Sequence, residues 1–416
     1  EGNWYGTDFA GLTPPWDDNM GYSFHKYWGQ TDISTIQSYI NLRNNYGVPL
    51  WMGESGENSN HWYYEVFKLL EENNIGWNFW THKKVDKITS PYSALVTPQY
   101  QVIIDYLRGV AGQPDPNIAG MGLTSFANSL KIENCITRPG VIASLTDAEY
   151  GEISKPYITH SIPGTIPAAY YDIGARGLSY SDSDYWNDGD GGYNDGWVFR
   201  NDGVDVEGSD DDPNIPYTVG WTEAGEWLGY TIEDVLPGTY DVSFSISAPN
   251  AGGIFYAQLS GQNLGVIDVP STGGWYSWED IPSQRIEITE GEKFLKIQIV
   301  QAGFNIQSVT FDQVLSIDTQ NLNPDSFILG KPYPNPFNPS VEMNLVVDNS
   351  GIYHISIHNI KGELINNWDV NFTQKGNHII QWNAMNYSGS PVPSGVFFIS
   401  VTNQNKSKQR KVLLLR

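Results

Sequence analysis

The chain has 416 residues, length for two or three domains, and its 40% hydrophobic residues supply enough apolar material for several cores, which excludes a disordered protein. Acids outnumber bases by 47 to 23, and the net charge of −24 repels phosphate backbones and anionic headgroups, so nucleic-acid and membrane partners are not expected. No apolar run approaches the ~18 residues of a membrane helix, and the single cysteine, Cys135, excludes an intrachain disulfide.

Residues 1–146 carry 14 acids and 9 bases, 147–312 carry 27 and 6, and 313–416 carry 6 and 8, so three regions of different character are expected. With 15 Trp, 25 Tyr, 42 Gly and 24 Pro, the composition points to turn-rich strands bearing flat rings, a profile suited to sugar contact. The opening Glu1-Gly2-Asn3-Trp4 reads as the tail of a strand, and the chain is expected to be part of a longer protein.

In chain order, Gly21–Trp28 reads as a strand, Ile33–Tyr46 as a helix, Pro49–Gly53 as a strand and His61–Glu72 as a helix capped by Ser59 or Asn60. Gly76–Trp80 then reads as a strand and Pro98–Val110 as a helix with proline in its first turn. Helical patterns over Ile118–Ile132 and Val141–Leu145 are expected to pack outside the sheet. Alternating strand and helix imply a parallel sheet. From about Pro163 the period changes to two, as in Gly238–Ser247 and Lys293–Val300, with frequent turn residues; an antiparallel sandwich is expected. Residues 314–329 read as a linker, and 330–416 as a small strand-rich domain with strands near Tyr353–Ile360, His378–Trp382 and Val396–Val401.

Three strand ends carry side chains suited to sugar chemistry: His25 and Tyr27, then Glu54, then Trp80. In a parallel barrel such ends converge. Taken singly each has a bland reading as a surface or packing residue. Glu57 competes with Glu54, but it lies in the polar turn before a helix, whereas Glu54 directly follows the apolar strand. Trp51 and Trp77 read as packing residues, and Trp4, Trp16 and Trp28 divide evenly between packing and lining a groove.

His-x-Tyr, Trp-Met-Gly-Glu-Ser-Gly and Asn-Phe-Trp at successive strand ends resemble the C-terminal half of glycoside hydrolase family 5 over roughly residues 1–150. The resemblance implies a cellulase-type retaining enzyme in which Glu54 is the nucleophile, His25 and Tyr27 orient it, and Trp80 forms the platform under the sugar. A complete (β/α)8 TIM barrel takes about 250 residues, so only its C-terminal half is expected, in residues 1–155. The family's general acid/base, a Glu after an Asn at an earlier strand end, has no counterpart, and this polypeptide alone is expected not to hydrolyse glycosides. No cofactor is expected for catalysis.

Gly203–Glu207, Tyr217–Tyr230, Gly273–Trp278 and Gly303–Asn305 together resemble a family 6 carbohydrate-binding module, a β-sandwich jelly roll over 163–313. The resemblance implies a cleft in which Trp275 and a second aromatic, Tyr217 or alternatively Trp221, grip a sugar while Asn305 hydrogen-bonds it. Trp227 and Trp278 are expected in the core. It also implies a structural calcium, for which Glu207 and Asp312 match ligand positions, although the early Glu is replaced by Ala169. The oxygen-rich run Asp182–Asp195 reads as a solvated turn in preference to a metal loop, lacking the closing Glu of a calcium-binding hand. The last region, with Tyr-Pro-Asn-Pro-Phe-Asn-Pro-Ser, Pro393-Ser394-Gly395 and a basic end Lys408–Arg416, resembles both a C-terminal type IX secretion sorting domain and the flagellar-hook-type Ig-like β-sandwich. Together the resemblances imply a secreted or cell-surface bacterial β-glycanase acting on β-glucan or a related neutral glycan and handled by the type IX machinery. The reading from a different class is a polysaccharide-binding surface protein without catalysis.

Overall fold

The computed structural model describes residues 14–189, 192–194, 196, 198–209, 212–314, 327–347, 349–403 and 406–416. The chain folds as two units, Glu1–Leu315 and Ser316–Arg416. Trp4 and most of the expected linker lie outside the described residues.

In the first unit, β1 (Tyr22–His25), β2 (Leu50–Glu54) and β3 (Gly76–Trp77) form a parallel sheet in that order. The register pairs Tyr22 with Leu50 and His25 with Glu54, so both strands deliver polar residues at the same end. α1 (Gln37–Tyr46) connects β1 to β2 and stops at Gly47, whose left-handed backbone (φ 66°) returns its N–H to the Arg43 carbonyl. α2 (Asn60–Glu72) connects β2 to β3; the Ser59 hydroxyl accepts from the Trp62 N–H, and Trp62, Tyr63, Val66, Phe67 and Leu70 form its buried stripe. These residues join Phe24, Leu50 and Met52 in one apolar core.

Beyond β3 the structure departs from the expected pattern. A second small sheet, β4 (Lys83–Val85), β5 (Tyr92–Ala94) and β6 (Ile136–Thr137), was not foreseen, each strand being only two or three residues long. α3 (Pro98–Leu107) and α4 (Pro116–Ser129) pack on each other instead of on the parallel sheet: Tyr100 stacks on Phe126 at 4.2 Å, and a Cβ on Gly122 would stand 2.5 Å from the Gln99 carbonyl oxygen. Leu107, Val110, Met121 and Leu123 remain exposed on or beside these helices. α5 (Pro139–Thr146) buries Val141 in the core with α2. Three parallel strands with alternating helices are what the described residues display; they do not close into a barrel.

The sandwich begins slightly earlier than expected, at His160–Ile162. One sheet runs in the order Val206–Gly208, Tyr217–Val219, Asn305–Gln313, Gly238–Ser247, Glu279–Pro282, and the other in the order Gln262–Val269, Gly253–Leu259, Lys293–Gln301, Trp227–Val235, His160–Ile162. Alternate residues such as Phe255, Ala257 and Leu259 point into the shared core.

The parallel-sheet part and the sandwich, expected as separate domains, belong to one unit through a buried polar seam. Asn60 Nδ2 donates to Asp202 Oδ1 at 2.6 Å, and Asn201 Nδ2 donates to the Asn58 carbonyl at 2.7 Å. Arg200 pairs with Asp202 at 2.7 Å with both side chains 3% exposed.

The second unit is a two-sheet sandwich, with Ile328–Tyr333, Val341–Val347 and Gly376–Trp382 in one sheet and Leu364–Phe372, Gly351–Asn359, Gly395–Asn403 and Lys406–Leu414 in the other. The basic end is an edge strand, and its row of Lys and Arg blunts pairing with other chains.

Candidate functional site

The end of β2 is built around Glu54. The Tyr27 hydroxyl donates to Glu54 Oε2 at 2.7 Å, and His25 Nδ1 lies 3.5 Å from the same oxygen. Burial first, and then the hydrogen bond to Glu54, push the Tyr27 phenol above its ordinary range, which favours the protonated form that donates to Glu54. Two glycines shape this corner. A Cβ on Gly53 would fall 2.5 Å from Ser23 Oγ, and one on Gly56 would fall 2.2 Å from the Trp80 carbonyl oxygen. Their absence of side chains lets the neighbouring chains close in, and the Trp80 N–H bonds the Ser55 carbonyl at 2.7 Å. Trp80 stays 49% exposed beside that turn.

The structure therefore brings His25, Tyr27 and Glu54 into contact and ties the Trp80 backbone to the residue after Glu54. Glu57, in contrast, is an exposed carboxylate paired with Lys84 at 2.8 Å. Trp77 packs as expected, stacked on Phe67 at 4.2 Å. Trp51 is 44% exposed, although its ring also covers Gly76. Trp16 is exposed, and Trp28 is open at 44%.

In the sandwich, the second cluster gathers at one end of the strand Asn305–Gln313. Asn305 Nδ2 donates to the Trp275 carbonyl and to Glu207 Oε1, each at 3.2 Å, while the Tyr276 hydroxyl donates to Glu207 Oε2 at 2.9 Å. Ser247 Oγ also donates to the Trp275 carbonyl, at 2.5 Å, which fixes the loop bearing the indole. Trp221 follows the short strand Tyr217–Val219 in a left-handed conformation (φ 44°) that turns its ring outward. Glu207, Trp221, Trp275, Tyr276 and Asn305 enclose a cleft of ≈ 150 Å³. The same two indoles border an adjoining hollow of ≈ 340 Å³, with Asp184, Asp205 and Glu223 on its wall.

Several expectations are corrected here. Tyr217 is not in the cleft: its ring stacks on Phe199 at 4.2 Å and packs against the sandwich core, and Trp221, not Tyr217, lines the cleft with Trp275. Trp227 and Trp278 are half-buried and not core residues; the Lys296 ammonium sits 4.1 Å over the Trp227 ring. Glu207 and Asp312 do not fit a shared calcium. Both Glu207 oxygens serve Asn305 and Tyr276, whereas Asp312 is exposed, pairs with Asp241 in the ladder, and lies seven residues along the strand from Asn305, at most about 23 Å away at ~3.3 Å per residue. Ala169, where the third ligand would be, is fully buried. Tyr276 was missed because its only signal was adjacency to Trp275, and the cleft role of Glu207 was hidden behind the metal reading.

The run from Asp182 is only partly described, Asp190 and Asp195 lying outside. Carboxylate oxygens of Asp182, Asp184 and Asp205 come within 4.8 Å of one another. Burial, then Glu226 and Asp205, push the Asp182 carboxyl up to about 10, and burial raises Glu226 as well.

Known proteins resemble parts of this chain. Residues 198–313 match the profile of the carbohydrate binding module (family 6), and residues 338–407 that of the FlgD Ig-like domain. A stretch of 102 residues, 24% of the chain, is 31% identical to the clotting factor G alpha subunit of Tachypleus tridentatus and spans 15% of that protein. Similar solved structures include the C-terminal family 6 module of the laminarinase LamC from Zobellia galactanivorans, 23% identical over 35% of this chain and 95% of that one, TM-score 0.26. The module CsCBM6-3 from Clostridium stercorarium, solved with cellobiose, is 21% identical over 38% and 98%, TM-score 0.27. A β-1,3-glucan-binding module from Bacillus halodurans is 20% identical over 37% and 99%, TM-score 0.27. The chain thus carries a family 6 carbohydrate-binding module, with the Trp221–Trp275 cleft inside it, and an Ig-like domain of the FlgD type.

Proposed function

We propose that this chain is part of a secreted retaining β-glycanase of the cellulase type that grips a neutral β-glucan through its module and attacks it through Glu54. The carrying observation is the contact of one carboxylate oxygen with both the Tyr27 hydroxyl (2.7 Å) and His25 (3.5 Å) at a strand terminus tied to an exposed indole. A nucleophilic carboxylate needs fixed orientation and hydrogen bonds that hold it ionised and aimed. Glu54 is aimed by Tyr27 and His25 on one oxygen, whereas Glu57 is an exposed carboxylate that points to Lys84. The general acid of a retaining pair is assigned to no residue of this chain, so unactivated β-glucan is not cleaved by it. The Ig-like domain serves export through the type IX route and retention at the cell surface, a reading supported by its proline-rich opening and basic final strand.

The test bypasses the general acid. With a 2-fluoro-glucoside carrying dinitrophenolate, Glu54 Oε attacks the anomeric carbon, the bond to the aryl oxygen breaks, and dinitrophenolate departs with the electron pair and needs no proton. Mass spectrometry of the treated full chain should show one glycosyl adduct on Glu54, lost in Glu54→Gln and kept in Glu57→Gln. Labelling at Glu57, or none, removes the hydrolase reading. The second reading, a binding protein without catalysis, would then hold, resting on the cleft between Trp221 and Trp275.

A further inference from the structure

We infer that the module's cleft and the strand-end site belong to one continuous sugar-binding path, with the Trp28 indole as a subsite between them, so that a single polysaccharide chain occupies both. The inference rests on carbohydrate binding by the module and not on hydrolysis.

One six-residue segment of the module, Asp184–Gly189, touches both places. Asp184 lines the hollow beside Trp221 and Trp275. The Tyr185 ring lies 5.2 Å from that of His61, with the Arg176 guanidinium 4.5 Å from its centre. Trp186 packs against the apolar core of the parallel-sheet part. Asn187 is held twice by Asn58: its N–H donates to Asn58 Oδ1 at 2.9 Å, and its carbonyl accepts from Asn58 Nδ2 at 3.0 Å. The same Nδ2 donates to the Tyr27 carbonyl at 3.0 Å, and Tyr27 in turn holds Glu54. Gly189, at φ +113°, lies under the Trp28 indole, its Cβ position only 3.6 Å from Trp28 Cδ1.

Two consequences follow. The five steps from Asp184 to Gly189 reach at most about 18 Å, so the hollow and Trp28 are close neighbours. The seam between them is fixed, because Asn58 is fully buried and committed to both sides of it. A glycan seated in the cleft therefore meets Trp28 as an intramolecular event, with no flexible tether to order first. Trp28, 44% exposed at this junction and immediately after the residue that holds Glu54, offers the apolar face that a pyranose stacks on.

The test uses the full chain with short and long probes: calorimetry with cellotriose and laminaritriose, and affinity electrophoresis in hydroxyethylcellulose and laminarin. For the polymer that retards the wild type, Trp28→Ala should weaken binding at least about tenfold while leaving trisaccharide affinity unchanged; Trp28→Phe should recover most of the loss, and Trp275→Ala should weaken both probes. Polymer affinity unchanged in Trp28→Ala overturns the inference, as does an equal loss for polymer and trisaccharide. Retention that disappears in Trp275→Ala yet survives in Trp28→Ala overturns the shared path alone, whereas a wild type that neither polymer retards overturns the path and the module's binding together.

Discussion

Replacing Trp221, Trp275 and Tyr217 singly by alanine separates a binding aromatic from a packing one. Trp221 is 49% and Trp275 46% exposed. An aromatic side chain buries roughly 150–250 Å² when fully covered, so roughly 100 Å² of each indole stands open. A sugar covers one face of it; at about 25 cal/mol per Å² this is worth ~1–2.5 kcal/mol, or about 5- to 70-fold in Kd. Trp221→Ala and Trp275→Ala should each lose affinity in that range in calorimetric titration of the full chain with cellotriose or laminaritriose, and should unfold at nearly the wild-type urea concentration. Tyr217→Ala removes a ring stacked on Phe199 and packed on the sandwich core; it should cost ~2–3 kcal/mol of stability and leave the affinity within about twofold, a few tenths of a kcal/mol. If Tyr217→Ala weakens binding as much as Trp221→Ala while unfolding like the wild type, the assignment of the cleft is refuted.

Glu207→Gln places an amide donor against either Tyr276 or Asn305, both of which already donate to this residue; affinity should fall by ~1–3 kcal/mol, and an unaltered calorimetric Kd would show that Glu207 does not order the cleft. Asp182 has its folded-state carboxyl raised to about 10 from 3.8, so the folded chain holds a proton that the unfolded chain releases. Its contribution is therefore most favourable below pH 3.8 and is lost as the pH climbs toward 10, by ~1.4 kcal/mol per unit at most. Asp182→Asn should stabilise the protein more at about pH 8 than at about pH 5, by an amount on the order of 2–4 kcal/mol, in urea unfolding with EDTA present; an equal gain at both values would contradict the burial argument.

How much of this was legible in the sequence follows from the range of the interactions. The stripe Trp62, Val66, Phe67, Leu70 and the cap Ser59 are local signals, and α2 forms where they place it. The strand ends carrying His25 and Glu54 were equally readable, since two parallel neighbours in register need only matching apolar runs. Motif spacing favours Tyr217 over Trp221 as the second cleft aromatic, but spacing does not encode which way a ring turns, and the left-handed backbone at Trp221 carries no signal in it. The seam is less legible still, because Asn60 and Asp202 stand 142 residues apart in sequence. Likewise α3 and α4 have apolar positions at helical spacing, and nothing local tells whether a sheet or another helix covers them.

The two clusters share a construction and differ in how the carboxylate is held. In each, a phenol donates to a carboxylate, Tyr27 to Glu54 and Tyr276 to Glu207. At Glu207 the second oxygen is also taken, by the Asn305 amide, and that amide is anchored to the Trp275 carbonyl. A carboxylate with a donor on each oxygen is fixed in place and holds its two donors in turn. At Glu54 the phenol and the imidazole both address Oε2. That asymmetry orients the group about one oxygen, which is compatible with the nucleophile role proposed for Glu54. The surroundings of the module's indoles carry charge. Asp184, Asp205 and Glu223 beside the module's indoles give the hollow a negative field, which disfavours uronates and sulfated sugars relative to a neutral pyranose. On the proposed reading, a neutral chain is the ligand that suits both clusters, since it brings no charge to the acids beside the module's indoles.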